Sequence, residues 1–294
     1  MNTWPKPFST EVWIVKDGRG EKLNEMLDFY LLIPCYNNTE GLIRSLLSVE
    51  YPKEKYKVLV VDDGSNIPVS LSEFPESLVE KQNIEILRFP ENKGITEALN
   101  AGLRLILSRS DSLYTARLDC GDTCTPDRFT KQISFLSVNT HIALIGSLCL
   151  FVDRAKQINY VYKAAEHHAS ILKQMHLKCS FIHPTVIFRN TIIKNTGLYP
   201  LNYPFAEDYA FFFELVKQHK THILQEILVE TEINTDGISV KKRQQQIKSK
   251  IKIIRHYGII KSLTCIGLFK QYLLALLPYK LITRIKHLFF QNEK

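Results

Sequence analysis

Ala116-Arg117-Leu118-Asp119-Cys120-Gly121-Asp122 decides the reading of this chain. The run leading into it, Leu113-Tyr114-Thr115-Ala116, reads as a buried strand, and two carboxylates follow at once. Ligands of open α/β sheets collect beyond the carboxyl ends of the strands. Hard divalent cations are held through one or two carboxylates plus substrate phosphates. The stretch is therefore read as a Mg²⁺- or Mn²⁺-assisted phosphate site carried by Asp119 and Asp122. The same acids also suit a plain turn leading into a helix at Pro126-Asp127, since Asp serves both uses.

Working outward, the pattern repeats. Phe29-Tyr30-Leu31-Leu32-Ile33 is a continuous apolar run ended by Pro34, Lys57 to Val61 ends in Asp62-Asp63-Gly64-Ser65, and Ile84 to Phe89 leads to Asn92-Lys93-Gly94. Helical spacing separates these runs, with Leu42, Ile43, Leu46 and Leu47 in one segment and Ile95, Ala98, Leu99, Leu103 and Ile106 in another. Strands alternating with helices predict an α/β fold with a mostly parallel sheet. Further strands are expected at Val12 to Val15, Ile142 to Gly146, Leu148 to Val152 and Thr185 to Phe188. Helices are expected from His168 to Leu177 and from Glu207-Asp208 through Val216.

At 294 residues, 45% hydrophobic and 23% charged, the composition is that of a soluble globular protein. Six cysteines without a CxxC pair suit a reducing compartment and argue against structural zinc. Met1 to Glu11 has neither the charged start nor the apolar core of a signal peptide. No run reaches the length of a membrane span, because Lys270 and Gln271 interrupt Leu263 to Leu277. A cytoplasmic protein is expected.

Taken together, Ile33-Pro34-Cys35-Tyr36-Asn37, Val61-Asp62-Asp63-Gly64-Ser65, Asn92-Lys93-Gly94, Arg117 to Asp122, Pro126-Asp127-Arg128-Phe129, His183-Pro184-Thr185 and Ala206-Glu207-Asp208-Tyr209 resemble a family 2 glycosyltransferase of the GT-A fold, the type that builds bacterial surface polysaccharides. The resemblance covers residues 29 to 220. It implies a Rossmann-like sheet flanked by helices, holding a nucleotide diphospho-sugar, with a UDP-sugar favoured. Pro34, Tyr36, Asn37, Asp62, Asp63, Asn92, Lys93, Gly94, Arg117 and His183 are the implied donor contacts; His183 is equally readable as a packed core residue.

By the same resemblance, Asp119 and Asp122 fall in the metal-binding element, but Gly121 stands where the commonest pattern has its second Asp. Asp122 then supplies a second contact, or one carboxylate and the diphosphate hold the ion, or metal dependence is weak. Inverting transfer needs a base to take the acceptor hydroxyl's proton. The resemblance gives that role to Asp208, with Glu207 orienting the acceptor or exchanging roles with it; helix capping is the alternative for both acids.

The tail is a separate matter. From Lys241 onward there are 13 Lys or Arg against the single acid Glu293, so residues 1 to 240 carry −4 of the net +8. Ile247, Ile251 and Ile254 share one helical face, and Tyr279 to Phe290 again mixes cations with aliphatics. Such a segment suits an anionic membrane surface or packs on the catalytic domain. Nucleic acid is disfavoured, because no exposed aromatic platform accompanies the cations. The expected divisions are an N-terminal extension or first strand over 1–28, a GT-A domain over 29–240 and a basic helical tail over 241–294. The expected function is transfer of a sugar to a glycan or lipid-linked acceptor on the inner face of the plasma membrane. A polyprenyl-phosphate glycosyltransferase and a non-catalytic sugar-nucleotide-binding scaffold are the alternatives.

Overall fold

A computed structural model describes residues 13–15, 26–153, 158–233 and 242–277; the Tyr279 to Phe290 segment lies outside them. After the short β1 (Trp13–Val15), the apolar runs become strands joined by crossover helices. These are β2 (Leu27–Cys35), α1 (Thr39–Leu47), β3 (Tyr56–Asp62), α2 (Glu76–Lys81), β4 (Ile84–Arg88), α3 (Ile95–Arg109) and β5 (Ser112–Arg117). Strands β4, β3, β2 and β5 lie side by side in that order and are all parallel. The chain thus winds outward from β2 to β4 and returns to the other flank of β2. That reversal leaves a crevice between the carboxyl ends of β2 and β5, the place where such sheets bind ligands.

The second half adds β6 (Thr123–Cys124), α4 (Arg128–Val138), β7 (Ile142–Asp153), β8 (Ile158–Tyr162), α5 (His168–Met175), β9 (Ile187–Arg189), α6 (Asn190–Thr196), α7 (Glu207–Gln218), β10 (Lys220–Glu232), α8 (Arg243–Tyr257) and α9 (Lys261–Leu276). Antiparallel β9 sits between β5 and β7, β10 runs parallel to β7, and β6 crosses antiparallel onto the far end of β10. As expected, the sheet is mostly parallel.

Both sheet faces are buried, which is why β2 is apolar throughout rather than alternating. Tyr30 and Leu32 face a core shared with α3, α7 and α8, while Phe29, Leu31 and Ile33 face one shared with α1 and α4. Each such side chain contributes about 1.5–3 kcal/mol by burial. Gly102 lets α3 lie close on the sheet, since a Cβ there would come within 2.3 Å of Leu32 Cδ1.

Two expected strands, Ile142 to Gly146 and Leu148 to Val152, are one strand, β7. Gly146 does not break it; its missing side chain makes room for Phe181, whose Cδ1 would lie 2.9 Å from a Cβ. The apolar side of α8 packs into the domain, with Ile253, Ile254 and Tyr257 in the same core as Phe213. Among the described residues, no helix is long and apolar enough to cross a membrane.

Candidate active site

Arg117, the last residue of β5, is fully buried. Its Nε donates to His183 Nε2 at 3.2 Å, its Nη1 donates to the carbonyls of Leu32 and Leu118, and its Nη2 reaches Asp119 Oδ1 at 2.5 Å. A buried guanidinium is tolerable only with its donors satisfied, and here strand, loop and carboxylate satisfy them together. His183 lies behind this pair, its Nε2 2.8 Å from the Tyr199 hydroxyl. Burial, reinforced by the Arg117 charge, lowers its pKa to about 3, so the ring is neutral and acts as an acceptor. Neither Arg117 nor His183 lies at the open edge; both stand behind Asp119, which keeps 32% of its side-chain surface exposed.

The loop after Asp119 is cradled by α1. Ser45 Oγ accepts from Gly121 N at 2.9 Å, and the Asn38 amide donates to the Cys120 carbonyl at 3.4 Å. Gly121 has φ +106°, a conformation that side chains other than glycine resist. Asp122 is turned inward: its carboxyl bonds with Thr231 of β10, and burial, with the charge of Asp119 adding to it, raises its pKa well above its ordinary value. The thiols of Cys35 and Cys120 meet 3.6 Å apart beneath this loop.

On the other flank, the two acids after β3 tie loops together. Asp62, fully buried, accepts from the amides of Ser65 and Val69 at 2.9 and 3.1 Å and pairs with Arg88 at 2.6 Å. Asp63 accepts from the Asn92 side chain at 3.0 Å and from Lys93 N and Gly94 N at 2.8 and 2.9 Å, while burial raises its pKa. Asn37, at φ +50°, clasps the same region, donating from its N–H to Ser65 Oγ and accepting from Asn66 N. Pro34 is buried at the strand end, whereas Tyr36, Asn37, Asn92 and Lys93 are exposed around the crevice. Asp62, Arg117, His183 and Asp122 are enclosed by the protein.

Glu207 and Asp208 open α7, where the helix dipole favours acids. Burial outweighs that preference. It raises the pKa of Glu207 to about 7, with the charge of Asp208 adding to it, and it raises that of Asp208 as well. Glu207 Oε2 is buried without a hydrogen-bond partner. Asp119 bears electrostatically on both acids, and Lys250 of α8 offsets part of the charge on Asp208. The loop before α7 is pinned by α8, since Gln246 donates to the Phe205 carbonyl and Ser249 to the Pro204 carbonyl.

The structure therefore gathers Asp119, Glu207 and Asp208 at one crevice, with Asn37, Asp63 and Asn92 to Gly94 on its flank. The sequence reading missed Ser45, Thr231, Tyr199 and Lys250. Ser45 and Lys250 lie on helices legible from apolar spacing, but nothing in their neighbourhood marks them as facing a carboxylate loop.

A mostly parallel Rossmann-like sheet with carboxylates at its switch point fits the GT-A fold. The chain belongs to glycosyl transferase family 2, whose model matches residues 30–193, more than half its length. It is 26% identical over 234 residues to the amylovoran biosynthesis glycosyltransferase AmsE of Erwinia amylovora, covering 77% of this chain and 84% of AmsE. The fold matches S. aureus TarS residues 1–349 in complex with UDP-GlcNAc, at TM-score 0.62 and 16% identity over 82% of this chain and 72% of TarS. It also matches the mannosyltransferase PcManGT of Pyrobaculum calidifontis in complex with GDP-Man and Mn²⁺, at TM-score 0.55 and 14% identity over 78% of this chain and 63% of that one.

Proposed function

We propose that this enzyme is an inverting glycosyltransferase moving a sugar from a nucleotide diphospho-sugar to a hydroxyl of a glycan or lipid-linked acceptor in surface polysaccharide synthesis. The observation that carries the reading is the pair Glu207–Asp208, two acids with raised pKa values set within electrostatic reach of Asp119. A base operating near neutral pH is helped by a pKa raised above the ordinary carboxylate value. The half-buried Asp208, fixed by a 2.7 Å bond from Tyr209 N to its Oδ1, takes the acceptor proton as the hydroxyl attacks the anomeric carbon. Glu207 orients the acceptor.

Tyr36, Asn37, Asp63, Asn92, Lys93 and Gly94 line the nucleotide end, with Pro34 shaping its floor. Asp62 holds their loops together. The donor set suits a hard divalent ion, because one part-exposed carboxylate beside a diphosphate is enough for Mg²⁺ or Mn²⁺, which keeps waters on its other positions. Asp119 would hold it, and the ion would neutralise charge on the departing diphosphate. Arg117 orients Asp119, and Asp122 braces the loop from within. A UDP-sugar is favoured by the likeness to TarS, whose complex contains UDP-GlcNAc.

Membrane docking falls to α9. Ile266, Phe269, Leu273 and Leu276 recur along one side of the helix and are all exposed, with the exposed cations Lys261 and Lys270 beside them. Apolar area together with cations fits an anionic bilayer surface and supports a peripheral position on the inner face of the plasma membrane. A second reading, a polyprenyl-phosphate acceptor, is favoured by a cavity of about 400 Å³ lined by Asn202, Tyr203, Lys252, Arg255 and His256. Transfer assays with radiolabelled UDP-sugars and lipid-diphosphate, lipid-phosphate or soluble glycan acceptors test the proposal. Activity with wild type that Asp208→Asn abolishes supports it.

A further inference from the structure

Glu166, His167 and His222 form a second cluster of donors. His167 and His222 pair as an isolated antiparallel bridge, and Ile223 N donates to the Glu166 carbonyl at 3.0 Å, so the backbone fixes all three side by side. The Glu166 carboxylate stands 3.8 Å from His167 Nε2 through Oε2 and 3.8 Å from His222 Nε2 through Oε1. All three ligand atoms lie within 4.8 Å of one another. Phe135 stacks on the His222 ring at a centroid distance of 4.5 Å, leaving that side chain 12% exposed. A cavity of about 370 Å³, whose wall also contains His141 and His168, opens at this place.

The spacing is informative. At 3.8 Å the carboxylate is too far from either ring for a direct hydrogen bond. A water at ~2.8 Å from each group would hold them ~4.5 Å apart. A tetrahedral ion with bonds of ~2.0–2.1 Å holds its donors ~3.3–3.4 Å apart, a spacing that side-chain rotation reaches from donors already within 4.8 Å of one another. Two imidazoles and a carboxylate select a borderline ion such as zinc over Mg²⁺ or Mn²⁺. The cluster is also remote from the sugar-transfer crevice. His222 and Thr231, the latter touching Asp122, pair with Ile145 and Phe151 of β7, six positions apart, and at strand rise that is ~20 Å.

We propose that Glu166, His167 and His222 bind one zinc-class divalent ion, with solvent completing its shell, and that the ion fastens the segment before α5 to β10. The test uses the full chain stripped of metal, titrated with ZnCl₂ by calorimetry and with CoCl₂ by visible absorption. Melting curves with and without zinc are recorded in parallel. The expected result is one zinc per chain, a melting temperature raised by zinc, and a tetrahedral Co²⁺ spectrum. Affinity should fall at least about tenfold in His167→Ala, a change at a side chain 74% exposed that leaves the fold intact, and should be unchanged in Asp119→Asn. Absence of saturable zinc binding, unchanged affinity in His167→Ala, or loss of the zinc in Asp119→Asn would each overturn the proposal.

Discussion

Arg117 holds Asp119: the fully buried guanidinium places Nη2 2.5 Å from Asp119 Oδ1. The same guanidinium bonds His183 and two backbone carbonyls, so the aim of the carboxylate at the crevice is set from inside the sheet. Lysine offers a point charge without the planar fork. Arg117→Lys should therefore weaken apparent Mn²⁺ affinity at saturating donor by at least about tenfold. Arg117→Met leaves Asp119 without its partner and should cost about 3–5 kcal/mol of stability. Metal titration of activity and chemical denaturation check the two effects separately.

Gly121 leaves room for a carboxylate but not for easy backbone geometry. A Cβ there would come no closer than 3.5 Å to Arg44 Nη2 and 3.6 Å to Asn38 Nδ2, while φ stays at +106°. Gly121→Asp should tighten Mn²⁺ binding and lower stability by about 1–2 kcal/mol. Gly121→Ala should carry the same strain without the gain in affinity. Equal metal affinity in the two variants would show that position 121 does not face the ion.

The acid pair gives a pH signature. A base works only when deprotonated; burial raises the pKa of Asp208, and that of Glu207 beside it to about 7. The rate should climb with pH through that region, and Glu207→Gln should move the climb to lower pH. Asp208→Asn should reduce turnover by about 10²–10⁴-fold. A rate independent of pH from 5 to 8 would contradict the assignment.

Stability should move the opposite way. Because the folded pKa of Glu207 lies above its unfolded value of 4.5, its contribution is fully present below the unfolded pKa and is lost as pH rises through about 7. Glu207→Gln should accordingly be more stable than wild type at pH 8, by on the order of 1–3 kcal/mol, and little changed at pH 5. Denaturant midpoints at the two pH values measure the difference.

Much of the fold was legible because strands buried on both faces leave unbroken apolar runs, and β2, β3, β4 and β5 fell where those runs stand. β10 was not, because Lys220, His222 and Glu226 interrupt its apolar residues and shifts in register between Leu224 and Val229 destroy any alternation. At the site, motif order located the crevice, yet it could not separate side chains at the edge from those behind it. Asp62 and Asp63 are adjacent in sequence, but one is tied to Arg88 and the loop through Val69, the other to the loop at Asn92. The apolar spacing of α8 was visible, but whether it met lipid or Phe213 depended on tertiary packing.

The exposed stripe on α9 gives a prediction of its own. Phe269→Glu with Leu273→Glu removes apolar area that already faces solvent, so folding should be unaffected. Co-flotation with phosphatidylglycerol vesicles should fall sharply, and wild-type flotation should weaken with added salt. Equal flotation of wild type and variant would assign the stripe another role.

The most direct measurement is calorimetric titration of UDP, GDP and dTDP, with and without Mn²⁺, on wild type and on Asp119→Asn. One nucleotide should bind with an affinity that needs the metal and is lost in the variant, placing the diphosphate at the β2–β5 crevice beside Asp119. No binding of any nucleotide, or equal binding by wild type and variant, would contradict the account and favour a chain that keeps the fold without the chemistry.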